Sequence, residues 1–336
     1  MRILAADIGG TNARFAAVEI SGLSQRSMGR PLVIPTAVDG AGSFRQLLER
    51  FRAEAPAGMA EIEAYDGVAL GVAGAVYEER ASLPNIPWDI DLNDYRPAEN
   101  TWLLNDFYAQ AHAFLDPQVI AGLQTIRGEP GADSNVGQGP GTTAIVGAGT
   151  GLGHAALICA DGRRVVLGSE AGHETFAFHG AREKEIESFM LSATGQDWLS
   201  ADDVVSGSGA ALIHQCLTGE AASPAAALAE HADNPETREL FARFYARACR
   251  NFCLAMFPVS ALVISGGVAI KNPQLLKSPA FIDEFNDALY YRPLLERVPI
   301  YLNRDEGLGI EGAAIYAWRR LSGQAGQAAT GQTLPN

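Results

Sequence analysis

Asp7-Ile8-Gly9-Gly10-Thr11-Asn12-Ala13-Arg14 follows one apolar run, Ile3 to Ala6, and leads into a second, Phe15 to Val18. So short a gap between apolar runs suits a tight β-hairpin rather than a crossover. Gly9 and Gly10 let the turn reach positive φ and leave no side chain above it. The bare amides of such a turn cradle an anion, and Thr11 and Asn12 add polar groups beside them. Asp7, at the end of the apolar strand, is set to hold a cation or its water shell. Carboxylate, glycine pair and hydroxyl together read as a site for a metal-bound polyphosphate. An ordinary hairpin with a turn-favouring Gly-Gly is the alternative.

The arrangement recurs downstream. Thr142 to Val146 reads as a strand, Gly147-Ala148-Gly149-Thr150-Gly151-Leu152-Gly153 as a glycine turn, and His154 to Cys159 as a strand again. Strand, glycine-and-threonine turn and strand in two places imply two structurally related halves facing one cleft. A Rossmann reading of the second turn fails on spacing, because Leu152 and His154 stand where a third glycine is required. No Walker-type G-x-x-x-x-G-K-[ST] occurs, and neither turn holds a lysine. Bound ATP would therefore draw its neutralisation from metal and backbone amides.

The composition is that of a folded chain. Of 336 residues, 19% are charged and 47% apolar. A formal charge of −14 argues against nucleic acid or an anionic membrane as partner. The start of the chain goes straight into the hairpin, so no signal peptide is expected. Cysteines at 159, 216, 249 and 253 form no C-x-x-C pair, which fits a reducing cytoplasm rather than a zinc site or a disulfide framework. Cys249 and Cys253, four apart, read as core residues on one helical face.

Between the turns, Ser43 to Ala55 carries Phe44, Leu47, Leu48 and Phe51 on one helical face. Gly67 to Val76 is a strand of small residues, and Glu78 to Pro97 reads as a polar loop. Thr101-Trp102-Leu103-Leu104 is a buried strand ending at Asn105-Asp106, with a helix from Phe107. A polar pair at the carboxyl end of a buried strand is where open α/β sheets place ligands. Asp106 there suits a general base that takes a proton from a substrate hydroxyl attacking phosphorus. A helix cap for Phe107 onward is the alternative. Glu170 and His173, three apart after a strand, are suited to hydrogen-bonding sugar hydroxyls; a salt bridge or cap would use the same residues. Asn234-Pro235 signals the start of a long helix with Leu240, Phe241, Phe244, Ala248 and Phe252 on one side. Val259 to Ile264 is a buried strand ending in Ser265-Gly266-Gly267, and helices are expected near 280–290 and 310–321.

These motifs, in this order, resemble a bacterial glucokinase of the proteobacterial type. That family lies in the actin-like superfamily with hexokinases, glycerol kinase and heat-shock chaperones. The matching stretches are Asp7 to Arg14, Leu104-Asn105-Asp106-Phe107, Gly147 to Gly153, Glu170-x-Gly172-His173 and Gly266-Gly267 after a buried strand. The resemblance implies an α/β, two-lobed actin-like fold of the ribonuclease H-like and hexokinase kind, its central mixed sheets flanked by helices. It implies a small lobe of 1–115 completed by a C-terminal helix at 307–321 and a large lobe of 116–306; residues 322–336, rich in Gly, Gln, Ala and Thr with little to bury, read as a disordered tail.

The resemblance also assigns roles. Ala6, Asp7, Ile8, Gly9, Gly10, Thr11 and Asn12 would bind the ATP phosphates, with Asp7 holding Mg²⁺ through water. Gly149, Thr150 and Gly151 would grip them from the other side, and Gly266 and Gly267 would lie near the adenosine. Asp106 would be the catalytic base and Asn105 would hold the sugar beside it. Glu170 and His173 would bind other hydroxyls of the hexose. The implied reaction is phosphorylation of glucose by ATP at the 6-hydroxyl, the first step of glycolysis, by a cytoplasmic homodimer. The sequence departs from the family at Asp202, where relatives carry Glu, so a sugar contact there would be longer or water-mediated. Asp305-Glu306-Gly307-Leu308-Gly309 lacks the Asn-Pro that often precedes Gly-Leu. A kinase for another hexose or an amino sugar, and a sugar-binding regulator without catalysis, are the competing readings.

Overall fold

Apolar alternation at the start of the chain produces β1 (Arg2–Ile8) and β2 (Asn12–Gly22), an antiparallel hairpin with a turn at residues 9–11. The structure is a computed structural model and describes every residue except 37–39, 85, 131–133, 135, 230–233 and 324–336. It divides into two units, Met1–Val119 with the chain from Asp305 onward, and Ile120–Arg304. These boundaries lie a few residues from the 115 and 306 expected. Asp116 is tied to the first unit by an ion pair with Arg26 and by the Ser24 hydroxyl, which donates to it at 2.6 Å. Glu306 is drawn there by Arg14, at 3.7 Å.

In the first unit β3 (Gln25–Met28) and β4 (Leu32–Pro35) pair with β2, while β5 (Gly67–Val72) and β9 (Thr101–Asn105) continue the sheet parallel to β1. The order is β3-β2-β1-β5-β9. One face of β1, with Leu4, Ala6 and Ile8, is buried against Phe44, Leu47, Leu48 and Phe51 of the helix Phe44–Glu54. That helix starts at Ser43, whose side chain accepts from the Gln46 amide at 3.2 Å. On the other face Asp7 lies beside Gly309 of the helix Leu308–Leu321, which packs against the helix Asp106–Ala113.

The stretch read as a polar loop, 78–97, instead holds most of a small sheet made of β6 (Ala75–Tyr77), β7 (Arg80–Ser82) and β8 (Ile90–Asp91). Its tight turn is Glu78-Glu79, at φ 45° and 67°. Two glutamates in the left-handed region carry none of the Asn-Gly or Asp-Gly signal that marks such hairpins, so the turn was not legible. The helix expected near 280–290 spans Pro279–Asn286 and gives way to a separate 3₁₀ turn, Leu289–Tyr291. Ser322 closes the helix Leu308–Leu321 by donating its hydroxyl to Trp318 O at 2.7 Å, and 324–336 of the expected tail lie outside the described residues.

The second unit repeats the plan. β11 (Gly141–Ala148), β12 (Leu152–Ala160) and β13 (Arg163–Ser169) form an antiparallel meander. β14 (Val259–Ser265) and β15 (Ile300–Leu302) run parallel to β11, and β10 (Gln124–Arg127) closes the edge. The long helix Pro235–Ala255 begins at Asn234, which accepts from the Glu236 amide at 3.0 Å, with proline in its first turn. Its buried Arg247 places its guanidinium 5.5 Å from the Phe176 ring centroid and 5.6 Å from that of Phe244. The guanidinium is satisfied by Glu183 at 2.6 and 3.0 Å, by Glu284 at 2.8 Å and by Ala177 O at 2.8 Å. Among the described residues no helix is long and apolar enough to cross a membrane.

Candidate active site

Three parallel strands of the first unit end side by side. β1 ends at Asp7-Ile8 and the glycine turn, β5 beside it at Val72, and β9 at Asn105. In the turn the Gly9 amide donates to Asn12 O at 2.9 Å, and the Thr36 hydroxyl donates to Gly9 O at 2.7 Å. Thr11 is exposed.

Counting outward from this turn sets Asp7 opposite Arg14 in the β1–β2 ladder. Paired residues of a ladder point to the same face, and the guanidinium lies 3.8 Å from the Asp7 carboxylate. Arg14 also lies 3.7 Å from Glu306. Burial pushes the Asp7 carboxyl above the usual range, and Arg14 opposes that shift. Neither turn holds a lysine, and the ladder register sets this arginine beside Asp7 instead.

At the end of β9 the cap belongs to Asn105 and not to the carboxylate. The Asn105 side-chain oxygen accepts from the Phe107 amide at 2.9 Å and the Tyr108 amide at 3.1 Å. Its Nδ2 donates to Gly74 O at 3.2 Å. Asn105 is thus largely committed to starting the helix Asp106–Ala113. Asp106, the first helical residue, accepts from the Phe107 amide at 2.9 Å.

In the second unit β11, β14 and β15 also end together. The turn at 149–151 is closed by the Gly149 amide donating to Gly151 O at 2.7 Å. Gly149 and Gly151 are partly exposed and Thr150 is exposed. Gly266, at the end of β14, has φ 88°. A Cβ there would stand 2.5 Å from Ala148 O, so only glycine lets this backbone meet the end of β11. Gly267 then opens the short helix Gly267–Lys271. Farther along the same unit, a pocket of about 390 Å³ is lined by Arg238 and Glu239 from the long helix and by Gln274, Leu275 and Ser278.

Glu170 leads into the 3₁₀ turn Ala171–His173, and both expected sugar ligands are exposed there. His173 Nε2 lies 3.7 Å from Glu170 Oε2. Burial raises the Glu170 carboxyl, His173 opposes this, and Asp202 adds to it. Asp202 itself accepts the Leu152 amide hydrogen. The structure therefore brings Asp202 against the second glycine turn. Nothing local in the sequence signals a hydrogen bond between residues 50 apart.

A family model described as glucokinase matches residues 4–320. The chain belongs to the glucokinase family. The glucokinase of Nostoc punctiforme is 28% identical over 355 residues, covering 94% of this chain and 99% of that protein. The glucokinase of Caulobacter vibrioides is 28% identical over 331 residues, covering 93% and 94%. The crystal structure of glucokinase from Balamuthia mandrillaris in complex with glucose has a TM-score of 0.79 at 19% identity, covering 95% of this chain and 93% of that one. The two α/β units, each a meander extended by parallel strands, are the actin-like fold of these kinases.

Proposed function

We propose that this member of the glucokinase family transfers the γ-phosphoryl group of ATP to the 6-hydroxyl of glucose. The observation that carries the reading lies in the first unit. There a bare glycine turn beside Asp7 and Arg14 and a helix-starting carboxylate, Asp106, stand at the same end of one sheet. Asp106 is the group that takes the hydroxyl proton as the sugar oxygen attacks phosphorus. The turn amides and the Thr11 hydroxyl receive phosphate oxygens, and Arg14 adds the positive charge that the turns themselves lack. Asn105 holds the sugar with what hydrogen-bonding capacity the cap leaves it.

In the second unit the turn at 149–151 takes phosphate oxygens, and Gly266 and Gly267 lie near the adenosine. The pocket lined by Arg238 and Gln274 lies within the range that small-molecule sites occupy. Glu170 and His173 accept and donate to the sugar hydroxyls. Mg²⁺ is the expected cation. Among the described residues no three His, Cys, Asp or Glu side chains cluster to hold a metal. A single carboxylate, Asp7, fits an ion that keeps most of its shell as water and phosphate oxygen. Such an ion would neutralise charge on the transferring phosphoryl group.

The test is a panel of hexoses and amino sugars with labelled ATP and Mg²⁺. Glucose as the best acceptor, yielding the 6-phosphate, is expected. A different preferred sugar reassigns the substrate, and no phosphoryl transfer to any sugar refutes the kinase reading. Sedimentation equilibrium decides the homodimer that the family resemblance implies. Fractionated cells decide the cytoplasmic setting in which such an enzyme opens glycolysis.

A further inference from the structure

The turn at 149–151 and the turn at 170–173 of the second unit meet at a single peptide. Leu152 ends the turn at 149–151 and begins β12. Its amide donates to Asp202 Oδ1. Its carbonyl faces the other turn so closely that a Cβ on Gly172 would overlap it. From there the chain closes a ring. Residues 170–173 lead to Glu174, whose carbonyl accepts from the Ala201 amide at 2.9 Å. Phe176 donates to Leu199 O at 2.9 Å, and Asp202 follows Ala201 in the short helix Ala201–Val204. That helix is fixed by a capping box between Ser200 and Asp203. The same segment holds the far end of the turn, through the Gly207 amide donating to Gly149 O at 2.9 Å.

We propose that Asp202 is a positioning residue that braces the second glycine turn through the Leu152 amide and couples that turn to the one bearing Glu170 and His173. This rests on the reading of those turns as nucleotide-side and sugar-side. Two features favour a brace over a direct sugar ligand. The carboxylate already holds a backbone amide, and a charge-assisted bond of that kind is among the stronger ones. The turn also passes directly over the carboxylate, because a Cβ on Gly151 would overlap it. A glutamate, one methylene longer, places its carboxylate differently against the Leu152 amide. The effect of Asp202 on Glu170 is consistent with a position between the two turns.

Coupling of this kind is reciprocal, so each ligand alters the affinity for the other by the same factor. The test measures AMPPNP–Mg²⁺ and glucose separately and together by calorimetry, alongside KM and kcat, in Asp202→Ala, Asp202→Asn and Asp202→Glu. The alanine variant is expected to bind AMPPNP about tenfold more weakly, as for loss of one charge-assisted hydrogen bond, with glucose alone changed less than about threefold. It also loses any enhancement of nucleotide binding by glucose. Asparagine keeps an acceptor for Leu152 and restores most of the nucleotide affinity; glutamate does not. Hydrogen exchange at the Leu152 amide reads the brace without any ligand and should speed up in the alanine variant but not in the asparagine one. An alanine variant that loses glucose and keeps AMPPNP makes Asp202 a sugar ligand and overturns the proposal. So does a glutamate variant equal to wild type, or Leu152 exchange unchanged in all three. If alanine fails to fold, the asparagine and glutamate variants decide alone. A wild-type chain that binds neither ligand refutes the functional reading, while the exchange result still judges the brace.

Discussion

Asp7 and Arg14 face each other across the β1–β2 ladder, carboxylate and guanidinium 3.8 Å apart beside the first glycine turn. The pair joins a carboxylate that burial makes reluctant to ionise to the cation that offsets this. Replacing Arg14 removes both that support and a positive charge beside the turn. Arg14→Ala is expected to weaken AMPPNP–Mg²⁺ binding by about tenfold while glucose affinity stays within about twofold. Separate calorimetric titrations of the two ligands check this, and a glucose-selective loss contradicts it.

Asp106 begins its helix while the neighbouring Asn105 supplies the cap. Asp106→Asn should therefore leave the helix start intact and remove only the base. Turnover is expected to fall at least about a hundredfold, with glucose affinity retained. Near-normal steady-state turnover would remove Asp106 from the role.

Gly312 of the last helix lies against the helix that Asp106 begins. A Cβ at Gly312 would overlap Ala109 O, which is backbone and has no rotamer to escape by. Gly312→Ala is expected to cost about 1–3 kcal/mol and to lower the melting temperature by several degrees. Turnover should drop too, because the helix carrying Asp106 has to shift. Calorimetry alongside activity at low temperature separates the two effects.

His112 and His154 are buried imidazoles. His112 meets Tyr108 and Tyr316 edge-on, ring centroids 4.9 and 5.1 Å away, and among the described residues neither of its nitrogens has a hydrogen-bond partner. Burial, aided by Arg319, pushes it down to about 3, and burial pushes His154 down to about 4. Both hold a proton more weakly folded than unfolded, so the unfolded chain gains protons first as pH falls below the ordinary 6.5. Stability is full above that value and is lost progressively toward pH 4 and 3. For His112 a shift of that size is worth on the order of 5 kcal/mol at most. Urea unfolding across this range should show the loss, and His112→Phe should flatten it. A slope unchanged in that variant assigns the acid sensitivity elsewhere.

The sequence by itself determined the frame of this protein. Both glycine turns, the strands around them, the Ser43 and Asn234 helix starts and the apolar faces of the two helices that follow are written in nearest-neighbour chemistry. Periodicity, turn residues and caps act over a few positions, so they are legible before any folding is known. Even the Asp7–Arg14 pair is local in this sense, since the four residues 9–12 between Ile8 and Ala13 set its register. The tertiary structure alone decided which distant groups meet. Asp202 reaches Leu152 across 50 residues, and Arg247 gathers Glu183 and Glu284 from separate helices. His112 loses its water to a helix from the far end of the chain. Those contacts arise from packing of whole elements, and no pattern along the chain encodes the distance between two side chains that only the folded core brings together.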